Sequence, residues 1–74
     1  MGYRVELRIT DEIGNETRCP TDGRRHKTLV HAWSAGMQAA RVEAVRHGAN
    51  VQVRILDDLD AVTVTGSVDA PLSA

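Results

Sequence analysis

Apolar and polar side chains alternate strictly over residues 3–10, which read YRVELRIT. Successive side chains of a strand point to opposite faces, so a period of two predicts a strand with one buried and one solvated face. Residues 50–56 repeat this period and place Gln52 and Arg54 on the polar side. A chain with two such strands has to cover one face of a sheet and leave the other in water.

The segment between these strands contains turn signals and one helical pattern. Gly14-Asn15 suits a tight reversal, so residues 16–19 are predicted to return as the second arm of a hairpin that Pro20 ends. Residues 21–27 have no period and are predicted to form a loop. Residues 28–47 predict a helix, because apolar and small residues recur there at three- and four-residue steps.

The ends of the helix are marked in the sequence. Thr28 is suited to cap the first turn, and Gly48 to end the last one in a left-handed conformation. Trp33 and Met37 are assigned to the core beneath the helix. A polar turn over residues 57–60 then leads to a last strand over residues 61–65.

This element order predicts a single α+β domain of ββαββ type, with a four-stranded, mostly antiparallel sheet and one helix packed across one face. The domain is predicted to span residues 1–66, and residues 67–74 to form a frayed C-terminal tail. A chain of 74 residues has room for one small core and no separate cofactor module, so no cofactor is expected.

Charge and cysteine content limit the function classes. Nine basic and ten acidic residues give a net charge of -1, which removes the long-range field of a dedicated nucleic-acid or membrane-surface protein. The one cysteine cannot form an internal disulfide, which fits a reducing, cytoplasmic setting. No apolar run approaches the ~20 residues of a membrane-spanning helix, so no membrane association is expected.

Two constellations could carry chemistry, and both have simpler explanations. Cys19 and Arg25 have the spacing of a thiol phosphatase loop, but residues 26–27 separate that loop from the helix and no general acid is evident. The three histidines, His26, His31 and His47, lack the usual spacing of zinc ligands. The sequence therefore predicts a protein that is not an enzyme and holds no metal.

Surface residues offer other possibilities. Arg24, Arg25 and Lys27 precede the helix and could contact phosphate, which would make the chain a small nucleic-acid-binding or regulatory module. The outward Arg4, Arg8 and Arg54 could do so too, although the predicted sheet surface lacks the stacking aromatics that RNA-binding sheets use.

The outer side of the helix carries a weakly apolar strip, with Ala35, Val42 and Val45. These residues can be chance apolar residues on a good helix, or they can form a homodimer surface.

A hairpin, a helix rich in Ala and Arg (AGMQAARVEAVRHGANV) and two further strands together resemble small phage and prokaryotic proteins over residues 3–65. The outline is similar to the ββαββ anti-CRISPR proteins of phages and, less closely, to the HicB-type antitoxin half-fold. Residues 16–20 read ETRCP, without the acidic-proline segment of HicB proteins. The resemblance implies a small rigid domain that inhibits by covering a partner's surface, without catalysis, cofactor or metal.

The leading hypothesis is accordingly a non-enzymatic interaction protein of anti-CRISPR type that binds a protein or nucleoprotein complex. Its candidate contacts lie on the outer sheet, on the loop before the helix and on the acidic turn: Arg8, Arg54, Arg24, Arg25, Lys27, Asp57 and Asp58. A nucleic-acid-binding or antitoxin-like module that uses residues 24–27 is the alternative.

Overall fold

The computed structural model of the protein describes residues 2–11, 13–21 and 23–70. These ranges contain β1 (Tyr3–Thr10), β2 (Glu16–Cys19), β3 (Arg25–His26), α1 (Leu29–His47), β4 (Asn50–Leu56) and β5 (Val62–Val68). The strands form one antiparallel sheet in the order β2-β1-β4-β5, and β3 pairs with β1 beside β2. Helix α1 packs on one face of this sheet, so the predicted α+β architecture is confirmed.

The short strand β3 lies in the segment that the sequence predicted to be a loop. Its two residues pair with the start of β1, Tyr3 opposite His26 and Arg4 opposite Arg25. A strand of two residues shows no period, because alternation becomes visible only over four or more positions. Residues 25–26 are therefore a strand only because they pair with β1.

The last strand is longer than predicted. β5 continues to Val68, because Ser67 pairs with Gln52 and Val68 with Val51. Gly66 interrupts the pattern of strand-forming residues, so the sequence does not predict this extension of the strand. Ser67 and Val68 thus belong to the sheet rather than to the predicted frayed tail of residues 67–74, of which residues 71–74 lie outside the described residues.

The helix ends where the sequence predicted. Thr28 has extended backbone angles, and its Oγ1 accepts a hydrogen bond of 3.1 Å from the backbone N–H of His31. Gly48 adopts the left-handed conformation with φ of 59°. Arg46 and His47 place positive or protonatable groups in the last turn, where the helix dipole favours them.

A row of small residues, spaced four apart, brings the helix close to the sheet: Ala32, Gly36, Ala40 and Ala44. All four are buried. At Gly36 a Cβ would lie 3.0 Å from Cγ1 of Val53 and 3.2 Å from Cγ1 of Val5, so a side chain here would require these valines to shift. The close approach covers the apolar side chains of β1 and β4, which form the core with Cys19 of β2.

Trp33 rests on the last strand of the sheet. A Cβ at Gly66 of β5 would overlap Cη2 of the indole and lie 3.1 Å from Cζ3. The ring therefore fills the space that a side chain at residue 66 would occupy. Trp33 packs against the core, as predicted, and is partly buried there.

The two hairpin turns share one hydrogen-bond arrangement. Oδ1 of Asp11 accepts from the N–H groups of Ile13 and Asn15 at 3.0 and 2.8 Å. Oδ1 of Asp57 accepts from Leu59 and Ala61 at 2.9 and 3.0 Å. An aspartate that bonds to the backbone two and four residues ahead fixes each reversal locally.

Replacing Gly66 by Ala should lower the free energy of unfolding by about 1–3 kcal/mol, because the new methyl group overlaps the Trp33 ring. In a Trp33→Leu background the same replacement should cost less, since the obstructing ring is gone. Urea denaturation of the four proteins measures this difference. Ser67→Ala, at the next position of the same strand, is the matched control. Equal losses in both backgrounds would contradict the packing of Trp33 on Gly66.

Candidate docking face of the sheet

The face of the sheet opposite α1, here called the outer face, is polar. Alternation along β1 and the cross-strand register place the following side chains on it: Arg4, Glu6, Arg8 and Thr10 of β1, Glu16 and Arg18 of β2, Arg25 of β3, and Gln52 and Arg54 of β4. Tyr3 and Trp33 pack against the core on the other face. The outer face is therefore rich in arginine and without an aromatic ring among the described residues.

Glu6 lies at the centre of the outer face. Its Oε1 accepts a hydrogen bond of 2.8 Å from Nε of Arg8, its Oε2 lies 3.5 Å from Nη2 of Arg18, and Arg54 stands opposite it on β4. The side chain is only 12% exposed. Burial by itself would raise the pKa of Glu6, but the Arg8 hydrogen bond and the charges of the three arginines outweigh it and lower the pKa. Glu6 thus holds the arginines in place as a carboxylate.

Arg8 joins Glu6 to the edge of the sheet. Besides its bond to Glu6, its Nη1 donates to Oε2 of Glu16 at 3.3 Å. The hydrogen bonds to Glu6 and Glu16 raise the pKa of Arg8 and so favour its charged form. The three side chains form a network with two carboxylates and one shared cation.

The structure adds Arg25 to the outer face. Arg25 was predicted to belong to a loop cluster, but β3 places it directly opposite Arg4, on the same face as the other sheet arginines. Nη1 of Arg25 reaches the carbonyl oxygen of Gly2 at 3.5 Å, and Nη2 of Arg4 bonds Oδ1 of Asp60 at 2.8 Å. Two guanidinium groups therefore stand side by side at this end of the sheet.

The charge balance of the outer face is positive. Over the described residues it carries five arginines against two glutamates, an excess of three positive charges. The side chain of Arg18 is 66% exposed, against 30% for Arg4 and 34% for Arg8. A chain with a net charge of -1 thus concentrates positive charge on one face of its sheet.

Sequence reasoning found only part of this surface. It placed Arg4, Arg8 and Arg54 outward, and the register confirms their shared face. It did not select Arg18, although the period of two over residues 16–19 puts Arg18 on the side opposite Cys19. No sequence signal could have placed Arg25 there, since only its pairing with Arg4 decides it.

The structure separates the three residues of the predicted basic cluster, Arg24, Arg25 and Lys27. Arg24 lines an open depression between α1 and the edge of β1, on the helix side of the sheet. Lys27 lines another depression beside Asp57 and Asp58. With Arg25 on the outer face, the three cations do not share one surface.

The acidic turn has a structural role. Asp57 fixes the β4–β5 reversal through its two backbone hydrogen bonds. Oδ1 of Asp58 accepts a hydrogen bond from the backbone N–H of Gly2 and so connects the turn to the residue before β1. These two predicted contact residues are therefore engaged within the fold.

The cysteine and the arginine of the phosphatase-like spacing lie on opposite sides of the sheet. Cys19 is buried opposite Leu7 on the helix side, whereas Arg25 pairs with Arg4 on the outer face. Burial raises the pKa of the Cys19 thiol, and the nearby charge of Glu43 raises it further. A nucleophilic thiol needs the opposite shift, so this geometry argues against thiol chemistry at Cys19.

The histidines are also separate. His26 lies on β3, while Nε2 of His47 lies 3.0 Å from Oε2 of Glu43 at the end of the helix. Within residues 2–11, 13–21 and 23–70, no group of three or more His, Cys, Asp or Glu side chains could hold a metal ion.

The three residues of the predicted homodimer strip on the helix do not all lie on its exposed surface. Val42 and Val45 are 57% and 70% exposed, and Val30, in the first turn of the helix, is 75% exposed. Ala35 instead lines the depression beside Arg24. The apolar residues of this side are thus scattered.

Fold and site together define a small two-layer α+β domain with one uncovered, arginine-rich sheet face. No protein-family model, curated protein sequence or solved structure matches the chain. Within the described residues, α1 does not combine the length and the apolar character that a membrane span requires.

Changing Glu6 to Gln should lower the free energy of unfolding at pH 7 by about 1–2 kcal/mol, because the arginines around it lose a charged acceptor. The pKa of Glu6 is lowered in the folded state, so its stabilisation is complete above the pKa of an unfolded carboxyl and is lost as the pH falls. The gap between the two proteins should therefore close below about pH 4. Urea denaturation at several pH values measures it.

Glu16→Gln is the matched control for that experiment, because Glu16 bonds the same Arg8 but is 41% exposed. It should change stability less than Glu6→Gln at pH 7. A larger effect at Glu16 would contradict the central position of Glu6 in the network.

Cys19 should react slowly with iodoacetamide near neutral pH, because the thiol is buried and its pKa is raised. Addition of urea should accelerate the reaction to the rate of a free cysteine. Mass spectrometry at timed intervals follows it. Rapid alkylation of the folded protein at pH 6 would show a thiolate and contradict this placement.

Proposed function

We propose that the protein is a non-enzymatic binding module that docks through its outer face onto an acidic protein surface, alone or within a nucleoprotein complex. The observation that carries this proposal is the concentration of five arginines on one face of the sheet. Its mode of action would be to cover the partner's surface, as in the phage inhibitors of anti-CRISPR type that the sequence resembles.

The arginines favour an acidic partner, because hydrogen bonds within the outer face already orient part of their guanidinium groups. Arg8 is held by its hydrogen bonds to Glu6 and Glu16, so part of its side-chain freedom is already lost before a carboxylate of a partner binds. A planar guanidinium can still donate to a second carboxylate through its remaining N–H groups. Arginine is enriched in protein interfaces for this reason.

Several features favour a protein over nucleic acid. Sheet surfaces that bind single strands use aromatic rings for stacking, and the described outer face has none. Glu6 and Glu16 stand among the arginines, where they can accept hydrogen bonds from the N–H and O–H donors that a protein surface offers and a DNA backbone lacks.

The absence of catalysis and the cytoplasmic setting remain parts of the proposal. The one cysteine has a raised pKa, and the depressions of the described surface are open rather than enclosed pockets. A buried thiol that forms no internal disulfide fits a reducing compartment.

A titration monitored by ¹⁵N–¹H NMR tests the proposal with hexaglutamate as the probe. Amide shifts should concentrate in β1, β2 and β4, since these strands carry most of the arginines. Arg18→Ala combined with Arg25→Ala should weaken binding by about threefold to tenfold, as expected for two partly exposed ion pairs.

Arg46→Ala is the matched control, because Arg46 on α1 is 67% exposed and also lies beside a glutamate, 3.6 Å from Glu43. It should leave hexaglutamate binding unchanged. Equal weakening by both changes would show that only net charge matters and would refute the outer face as the site. A duplex DNA that binds more tightly than hexaglutamate, with salt-dependent affinity, would favour the nucleic-acid alternative instead.

A further inference from the structure

The two edges of the sheet differ in how they are protected. The edge formed by β2 and β3 is made of strands of four and two residues and carries the charged residues Glu16, Arg18 and Arg25. Short, charged edge strands prevent pairing with another chain. The opposite edge, β5, has seven residues that read VTVTGSV, with neither a charge nor a proline.

Only one side of β5 is paired. It bonds β4 along its length, with a register irregularity confined to the Val62 end, and the strand order has no neighbour beyond it in the described part of the chain. In an antiparallel strand every second residue directs its N–H and C=O away from the existing partner. β5 therefore presents a row of backbone donors and acceptors that a further strand can bond.

We propose that β5 pairs with β5 of a second copy of this chain in antiparallel register, with a two-fold axis at Thr65. This register uses the strand up to the irregularity at its Val62 end. It sets Thr63 opposite Ser67, Val64 opposite Gly66, and Thr65 opposite itself.

The sequence of β5 is complementary to itself in this register. Hydroxyl stands opposite hydroxyl where Thr63 faces Ser67 and where Thr65 faces itself, a combination that stabilises antiparallel pairs. The flanking acids also avoid each other, because Asp69 lies opposite Ala61 and Asp60 opposite Ala70. A self-complementary strand favours a second copy over an unrelated chain.

Trp33 supplies an independent reason. Its ring lies on Gly66 at this edge and is only partly buried, although it packs against the core. Val64 faces the helix side of the sheet, opposite Ile55. In the dimer Val64 of the second copy stands beside Gly66 on that side, so its methyl groups extend the apolar surface next to the indole.

The pairing produces a closed dimer with one continuous sheet. Both helices lie on the same face, and the two outer faces join into one surface. The charged β2–β3 edges become the outer limits of the sheet and stop further growth. This inference does not depend on the proposed function, because it concerns the free protein.

Sedimentation equilibrium on the whole chain tests the dimer. The wild type should show twice its 8.1 kDa mass in the upper part of a concentration series to about 1 mM. Thr65→Lys and Thr65→Glu should each raise the dissociation constant at least about fivefold, because the change sets like charges directly opposite each other. An equimolar mixture of the two variants should dimerise again, since Lys then faces Glu.

Val42→Lys on the helix is the control and should leave the dimer intact, and circular dichroism should confirm that every variant folds. A monomer throughout the series would overturn the proposal. So would open-ended association, loss of the dimer in Val42→Lys, or a mixture of the Thr65 variants that stays monomeric. The hexaglutamate titration has a separate readout, so either proposal can fail alone.

Discussion

The close approach of helix and sheet at Gly36 sets the dimensions of the whole domain. A side chain at this position would press on the methyl groups of Val5 and Val53 and force them to move. The small residues before and after Gly36 at four-residue steps keep the same short spacing along the helix. Tight packing of this kind lets a chain of 74 residues bury the apolar face of β1 and β4 with a single helix.

One helix can cover only one face, and the chemistry of the uncovered face follows from this limit. Alternation sends the polar residues of β1 and β4 outward, where arginines would repel one another without an interposed acid. The carboxylate of Glu6 lies between Arg8 and Arg18 and offsets that repulsion. The network both stabilises the sheet and arranges the guanidinium groups for the binding function that we propose.

The two edges of the sheet differ in length and charge. The chain turns back at Pro20 and returns through β3, so one edge is broken and charged. At the other edge β5 continues without charge to Val68, and Trp33 above Gly66 replaces the side chain that glycine lacks. The domain is thus open to association at one edge and protected at the other.

The sequence by itself determined the helix, its two caps and the strands over residues 3–10, 16–19 and 50–56, because period and capping chemistry are local properties. The tertiary structure decided what local patterns cannot encode. Arg25 joins the outer face only because β3 pairs with β1, and Ser67 is a strand residue only because β4 offers it a partner. The separation of Cys19 from Arg25 likewise depends on which face each strand turns to the helix, and that is settled by packing across the sheet rather than by spacing along the chain.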